Sequence, residues 1–340
     1  MKKSMERSVT TLKYSNDASY LVPKKGRLFR KFLSYIKRYW PLYLMVLPVI
    51  AYLFIFSYIP MGGLTLAFKD FNKWDGIWNS PWATNDLGEL DLFKHFRILF
   101  EDPRWWESFG TTMKISLLRL VFGFFVPIVL TILLSEMKSK KYSKVFQIVS
   151  YLPHFISWIV IYGILTALTA SRGEFQNFLS SIFGSEVRFL SDPNIFTGLV
   201  IFSNIWKEAG WSTIIYFAAI ASISPDLYEA ADIDGATRWQ KIVNITIPGM
   251  IPAISINLIL QASSFVYGGF DQIFAMTANG SNLAVSDYVN ISEMFLFEAG
   301  ITNQQYELAT VVGLFNSVIS FVLVLGANKI IKLIGGDGLW

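Results

Sequence analysis

The sequence SPDLYEAADIDGATRWQKIVNITIP, residues 224–248, is a short polar segment between two long apolar segments. Ser224 followed by Pro225 is typical of a helix start, because a serine side chain caps the first free amides and proline presets the backbone angle φ. Gly235 can adopt the left-handed conformation that ends a helix. We therefore predict a short helix that begins at Pro225 and stops at a tight turn at Gly235.

A second short helix is predicted directly after this turn. Thr237, with Gln240 three residues later, forms the pattern of a capping box. Trp239 and Val243 then provide an apolar face, and Pro248 is expected to end the helix before the next apolar segment. The segment 224–248 is thus expected to project two short helices from the surface of a larger apolar structure.

The rest of the chain indicates that this larger structure is embedded in a membrane. Of the 340 residues, 53% are hydrophobic and 16% are charged, whereas soluble domains carry about 25% charged residues. A membrane-spanning helix needs about 20 apolar residues, because the hydrocarbon core is about 30 Å thick. The segments of this length are residues 42–60, 112–134, 145–170, 195–222, 249–270 and 308–327. We predict an all-α, polytopic membrane protein with about six transmembrane helices.

Lysine and arginine are concentrated in alternate loops. They cluster at 24–38, 138–144, 238–241 and 329–332, whereas residues 271–308 contain neither. Basic residues remain preferentially on the cytoplasmic side of a membrane. Both termini and the segment 224–248 are therefore predicted to be cytoplasmic.

The predicted spans divide the chain into regions. We expect residues 1–41 to form a cytoplasmic tail with an interfacial amphipathic helix, 42–110 the first span and a long extracellular loop, 111–333 the transmembrane core, and 334–340 a C-terminal tail. The apolar face of the interfacial helix comprises Phe29, Phe32, Leu33, Ile36 and Trp40, although a plain cytosolic extension of the first span is the alternative. The outer loop contains Trp74, Trp78, Trp82, Trp105 and Trp106, which interfacial anchoring or an extracellular partner would explain.

The polar segment also resembles a known family. Residues 229–231 (Glu-Ala-Ala), 234–236 (Asp-Gly-Ala) and 245–248 (Ile-Thr-Ile-Pro) are similar to the EAA loop of permease subunits in binding-protein-dependent ABC importers. Ile247 stands where that family usually has leucine, a conservative departure. Residues 151–158 and 206–236 resemble more narrowly the carbohydrate-uptake branch and its polysaccharide and complex-oligosaccharide subgroup.

This resemblance implies a type I ABC importer transmembrane domain in a bacterial plasma membrane. The segment would be a coupling loop that docks on an ATPase. It implies as partners a second permease subunit, two ATPase subunits that bind ATP and Mg, and an extracellular substrate-binding lipoprotein, with a carbohydrate as substrate. The residues that would couple to the ATPase are Glu229, Ala230, Ala231, Asp234 and Gly235.

The substrate of such a protein would be held inside the spans. Asn204, Glu208 and Trp211 recur at helical spacing on the fourth predicted span, and Gln261 and Phe265 on the fifth. Amides, carboxylates and aromatic rings are the groups that hold sugars, and the resemblance places substrate contacts of maltose-type permeases on these two spans. Two alternatives stay open: Glu208 pairs with the adjacent lysine or with another subunit, and Asn204 makes a hydrogen bond between helices. His154 is expected to be structural.

The sequence excludes several other functions. It contains no phosphate-binding loop of the Gly-x-x-x-x-Gly-Lys-Ser/Thr type, so we expect no catalytic residues here and ATP hydrolysis in a separate subunit. It has no cysteine and only two histidines, His95 and His154, so we expect no metal site built on these residue types. No nucleic-acid-binding motif is present. A secondary carrier driven by an ion gradient is the alternative, but it would need several acidic residues deep in the spans, where only Glu208 qualifies.

Overall fold

The computed structural model describes residues 25–169, 177–178, 181–182, 189–333, 335–336 and 338–339, with side chains from residue 35 onward. In these residues strand pairing is limited to two isolated bridges, Lys69–Trp82 and Thr84–Leu90. The prediction of an all-α fold is therefore confirmed. The helices are α1 Lys25–Leu53, α2 Gly76–Asn79, α3 Lys94–Glu101, α4 Pro103–Ser135, α5 Lys140–Tyr151, α6 Trp158–Leu168, α7 Pro193–Ala221, α8 Pro225–Ile233, α9 Arg238–Lys241, α10 Ile247–Ser263, α11 Phe270–Met276, α12 Ser292–Phe297 and α13 Tyr306–Leu333.

The described residues fall into two compact units, one up to Gly62 and one from Gly63 onward. The first unit is dominated by α1, which is bent at Tyr39, where φ is −112° and ψ is 18°. This bend lies where the predicted interfacial helix meets the predicted first span. The side chains of Phe29, Phe32 and Leu33, which belong to the predicted interfacial face, lie outside the described set.

Several helical stretches of the described residues could cross a membrane. Four are long and apolar enough to do so, namely Tyr35–Phe68, Pro103–Ser135, Arg238–Ser263 and Tyr306–Leu333. A fifth is added if the bent pair α5 and α6 counts as one span. Helix α7 is 29 residues long but carries Lys207 and Glu208 and is not among them. The chain is thus polytopic, while the count of six spans stays a prediction.

The third predicted span, 145–170, is not one continuous helix. α5 ends in a 3₁₀ turn, and α6 leaves this turn at an angle of 99°. Pro153 lacks an amide hydrogen, and the Ser157 hydroxyl accepts an amide of the first turn of α6. The helical hydrogen-bond ladder is therefore interrupted and restarted. The prediction of an unbroken span is wrong here, although Ala170 itself lies outside the described residues.

The segment 224–248 begins as predicted. The Ser224 hydroxyl accepts the Asp226 amide at the start of α8, and Gly235 has a left-handed φ of +73°. Thr237 and Gln240 form both hydrogen bonds of the predicted capping box at the start of α9. The cap, the left-handed turn and the capping box that the sequence predicts are therefore all present in this segment.

Pro248, in contrast, does not end the second short helix. α9 runs through a π-helical turn at Ile242–Thr246 directly into α10, so that the helical stretch is continuous. A π turn is wider than an α turn. It accommodates the missing amide hydrogen and the ring of Pro248 without breaking the helix.

The fifth predicted span, 249–270, ends early, because α10 stops at Ser263 and the chain forms a loop before α11. Gly269 ends this loop with a φ of +85°, and a Cβ atom there would lie 2.4 Å from Nη1 of Arg119. A Cβ atom on Gly268 would lie 2.9 Å from the side chain of Ile291. This glycine pair therefore allows close packing and precedes the first residue of α11.

The tryptophans of the outer loop do not share one role. Trp105 is fully buried, and its ring packs edge-to-face on Phe295 and Phe315 at centroid distances of 5.7 and 5.4 Å. Interfacial anchoring is therefore wrong for Trp105, which belongs to a hydrophobic core cluster at the start of α4. The other tryptophans, Trp74, Trp78, Trp82 and Trp106, are exposed.

The broken segment between α5 and α6 is held against α7 by a very close helix crossing. Gly210 of α7 faces the backbone of α5, and a Cβ atom added to it would lie 2.0 Å from the carbonyl oxygen of Ser150. Two helices approach this closely only where one of them has no side chain. This crossing sets the position of the α5–α6 break relative to α7.

Candidate functional site

A polar cavity of about 370 Å³ lies between α4, α7 and α10, and the loop after α10 contributes part of its lining. We call it the polar cavity. Its lining combines three amides (Asn204, Asn257 and Gln261), three hydroxyls (Ser116, Ser212 and Ser264), two charged groups (Arg119 and Glu208) and the rings of Phe265 and Tyr267. Such a mixture of donors, acceptors and aromatic faces suits a ligand with many hydroxyl groups.

The structure brings most of the predicted substrate residues to this one cavity. Asn204 and Glu208 reach it from α7, Gln261 from α10, and Phe265 from the following loop. The side-chain amides of Asn204 and Gln261 make no hydrogen bond to any other described residue, so both can bind a ligand or water. The alternative of an interhelical hydrogen bond is therefore not realised for Asn204 in this part of the chain.

Trp211 does not line the polar cavity. Its ring instead stacks on the imidazole of His154, with centroids 4.4 Å apart and planes at 2°. His154 lies at the break between α5 and α6, and Phe155 packs edge-on against the same tryptophan at 5.5 Å. The His154 ring covers one face of Trp211, whose side chain remains 42% exposed, so a contact of Trp211 with substrate stays a prediction, and it would be made outside this cavity.

Glu208 connects the cavity to the helix break. Its carboxylate lies 2.8 Å from Nδ1 of His154 and 3.4 Å from the ammonium of Lys207. The Lys207 ammonium also donates to the backbone carbonyl of His154 and lies 5.5 Å from the ring centre of Trp158. The alternative that Glu208 pairs with the adjacent lysine is thus present, and the carboxylate still borders the cavity.

Two charged side chains that we did not select from the sequence hold the loop after α10, which lines the cavity. Arg119 donates to the Gly268 carbonyl and, at 2.6 Å, to the side-chain oxygen of Gln272. Glu293 accepts the Gly269 amide at 3.0 Å from the opposite side. A signal for Arg119 existed in the sequence, since an ionisable residue deep in an apolar segment marks a functional site by default.

A second cavity of about 530 Å³ lies beyond this loop. Asn204 and Tyr267 line both cavities, and Glu293 lines only the second. The two spaces are therefore neighbours, separated by the clamped loop. The described residues contain no group of three or more histidine, cysteine, aspartate or glutamate side chains that could hold a metal ion.

The segment 224–248 presents an exposed surface away from the cavity. The apolar side chains of Leu227, Ile233 and Trp239 are exposed, at 53%, 87% and 70%. An ion pair of 2.7 Å between Lys241 and Asp232 ties the two short helices together. A surface with several exposed apolar side chains is typical of a site that another protein covers.

The sequence is similar to a known family and to individual proteins. Residues 127–335 match the family described as binding-protein-dependent transport system inner membrane component. Protein LplB of Bacillus subtilis is 36% identical over 97% of this chain and 99% of its own length. The polygalacturonan/rhamnogalacturonan transport system permease protein YteP of Bacillus subtilis is 35% identical over 93% of this chain and 94% of its own.

A solved structure extends the similarity to the fold. A chain in the crystal structure of a bacterial ABC transporter involved in the import of the acidic polysaccharide alginate is 37% identical. The match has a TM-score of 0.79 and covers 90% of this chain and 99% of that chain. This chain is therefore similar to the transporter chain in both sequence and fold over most of the length of each.

Proposed function

Because the chain belongs to the family of binding-protein-dependent transport system inner membrane components, we propose that it is the permease subunit of an ATP-driven importer of a carbohydrate, in particular an oligosaccharide. An extracellular binding protein would deliver the substrate. The relatives described above include a transport-system permease and an ABC importer of polysaccharides. The alternative of a carrier driven by an ion gradient has no support among them.

The observation that carries the proposal is the polar cavity. Asn204 and Gln261 face it from two different helices with free amides, and Phe265 adds an aromatic ring. Amides that exchange water for sugar hydroxyls, next to an aromatic face, form the usual chemistry of a carbohydrate site. We propose that Asn204, Glu208, Gln261 and Phe265 contact the substrate during translocation.

The surface of segment 224–248 would transmit the motion of the ATPase. Glu229 is exposed and makes no ion pair within the described residues, so it can meet a basic residue of a partner. Ala230 and Ala231 permit close approach of a groove wall, and the turn at Asp234 and Gly235 holds the two short helices at a fixed angle. ATP and Mg would be bound by two partner ATPase subunits, and a second permease subunit would complete the pathway.

The proposed topology places residues 1–41, segment 224–248 and residues 334–340 in the cytoplasm, and the loop within 42–110 outside, with 111–333 as the transmembrane core. The chain has no cysteine, so a single introduced cysteine shows on which side of the membrane its position lies, without a background from native cysteines. We expect Ser281→Cys, at an exposed site, to react with an impermeant thiol reagent added to whole cells. Ser139→Cys should react only after the cells are opened. The reverse pattern would contradict both the orientation and the coupling role.

The proposed function is tested by ATP hydrolysis. The permease, co-expressed with the ATPase and second permease subunit from the same transport system, should purify with them as one complex. Its ATP hydrolysis in proteoliposomes should rise several-fold on addition of the sugar-loaded binding protein. A chain that purifies alone, or a complex whose hydrolysis ignores the loaded binding protein, would contradict the proposal.

A further inference from the structure

We propose that the first part of α1, residues 25–38, is a binding surface for the anionic phospholipid headgroups of the cytoplasmic leaflet. The inference goes beyond transport and rests only on the proposed cytoplasmic position of the N-terminus. Residues 25–38 are helical, and this helical segment ends at the bend at Tyr39, directly before the predicted first span, 42–60. The segment therefore lies at the level of the membrane surface.

The segment carries a large positive charge without a nearby negative charge in the sequence. Asp17 and Asp70 are the nearest acidic residues on either side, and no carboxylate side chain lies between them. The basic residues in this interval are Lys24, Lys25, Arg27, Arg30, Lys31, Lys37, Arg38 and Lys69. The side chains of Lys37 and Arg38 are exposed and form no ion pair within the described residues. Both are therefore available to an anion outside the chain.

The basic and the apolar positions fall on opposite sides of this helical segment. With 3.6 residues per turn, the apolar positions share an arc of about 100°; they are Phe29, Phe32, Leu33 and Ile36. The basic positions share an arc of about 120° on the other side; they are Arg27, Arg30, Lys31, Lys37 and Arg38. A helix with one basic face and one apolar face of this kind lies in the membrane interface, where anionic lipids strengthen its binding.

The bend at Tyr39 allows the segment to lie along the membrane while the following residues cross it. Pro41 has no amide hydrogen for the carbonyl of Lys37, and its ring crowds that carbonyl, which explains a bend at this point. No described side chain of α1 is buried within the chain. Trp40, next to the bend, is 58% exposed, and exposed tryptophan is typical of the membrane interface.

A lipid surface explains these features better than an acidic protein surface does. A cluster of lysines and arginines directly cytoplasmic of a span is typical of binding to anionic headgroups. The apolar arc would need a matching groove on a protein, whereas the acyl chains of the membrane are present beside every span. Lysine and arginine also have long apolar stems, which can lie along the acyl chains while the charged ends reach the phosphates.

The measurement uses a polarity-sensitive fluorophore on Ile36→Cys, in the apolar arc, within the complete complex, whose other subunits are made free of cysteine. Vesicles of pure phosphatidylcholine are compared with vesicles of equal parts phosphatidylcholine and phosphatidylglycerol. The emission should shift to shorter wavelength in the anionic vesicles, and high salt should reverse this shift by screening. Each basic residue near an anionic surface strengthens binding by about fivefold.

The test variant replaces four basic residues by glutamine; these are Arg30, Lys31, Lys37 and Arg38. It should reduce the shift by at least about tenfold. The double variant Lys37→Gln and Arg38→Gln should reduce the shift less, and it serves as the test if the fourfold variant does not assemble. The matched control replaces four exposed lysines of the turn between α4 and α5 by glutamine and should keep the parental shift; these are Lys138, Lys140, Lys141 and Lys144.

Equal emission in both kinds of vesicle, a shift that salt does not change, or the parental shift in both test variants would overturn the lipid site. A salt-sensitive shift that is already complete in pure phosphatidylcholine would indicate an acidic protein surface and would overturn it too. Inorganic phosphate added to the phosphatidylcholine vesicles should have no effect, and a shift with free phosphate would contradict a lipid headgroup as the ligand. Stimulation of ATP hydrolysis by the loaded binding protein in the same vesicles tests the proposed function separately.

Discussion

Replacing Gly235 with proline should abolish ATP-driven uptake while the transmembrane core still folds. Gly235 has a φ of +73°, whereas a proline ring fixes φ at about −65°. The turn between α8 and α9 therefore cannot form, and the two short helices lose their relative angle. We expect uptake to fall by at least about tenfold, with ATP hydrolysis either lost or no longer linked to transport.

The matched control is Gly235→Asn. Asparagine tolerates the left-handed conformation better than other residues with a side chain, and there is open space around the Cβ position of Gly235. This variant should retain most of the uptake. Normal transport by Gly235→Pro, or equal loss in both variants, would show that the turn geometry does not carry the coupling. Measuring uptake and hydrolysis on the same proteoliposomes distinguishes loss of coupling from loss of the ATPase.

Gly210→Ala should strongly destabilise the folded permease. The new methyl group would lie 2.0 Å from the Ser150 carbonyl oxygen and 2.4 Å from its carbon, and backbone atoms cannot rotate away. Forcing a methyl group into a close contact costs about 1–3 kcal/mol or more. Here α5 must move away from α7, and the His154 contacts with Glu208 and Trp211 are lost with it.

Gly198→Ala is the control, because it lies on the same helix and nothing lies within 4 Å of the added methyl group. Alanine favours a helix over glycine by about 0.8–1.0 kcal/mol, so this variant should be as stable as the parent or more so. Thermal unfolding of the detergent-solubilised complex measures both. Equal midpoints for Gly210→Ala and Gly198→Ala would contradict the close crossing of α5 and α7.

The sequence predicted best the elements that depend on local interactions. The cap at Ser224, the left-handed turn at Gly235 and the capping box at Thr237 each involve residues within a few positions, and all three are present in the structure. The length of the apolar segments, which is read from consecutive residues, also identified most of the helices that could cross a membrane. It could not show that the third segment breaks at Pro153, because apolarity is continuous through the break.

The candidate site was only partly predictable. Helical spacing placed Asn204, Glu208 and Trp211 on one side of α7, but spacing does not show which neighbour each side chain meets. His154 comes from a segment more than forty positions earlier, and its ring stacks on Trp211 and contacts the carboxylate of Glu208. The role of Arg119 likewise depends on the loop after α10. This loop begins earlier than predicted, and the apolar sequence gave no sign of its early beginning.

The central claim is that the polar cavity is the carbohydrate pathway of an ATP-driven permease. Its most direct test is ATP-dependent uptake of a labelled substrate oligosaccharide by proteoliposomes that contain the complex and its binding protein, for the double variant Asn204→Ala and Gln261→Ala. Each amide is expected to contribute about 0.5–1.5 kcal/mol, so uptake should fall by about tenfold or more while basal ATP hydrolysis persists. Ser263→Ala, an exposed change on α10 outside the cavity, should transport like the parent. Parental uptake by the double variant would contradict the assignment of this cavity as the pathway.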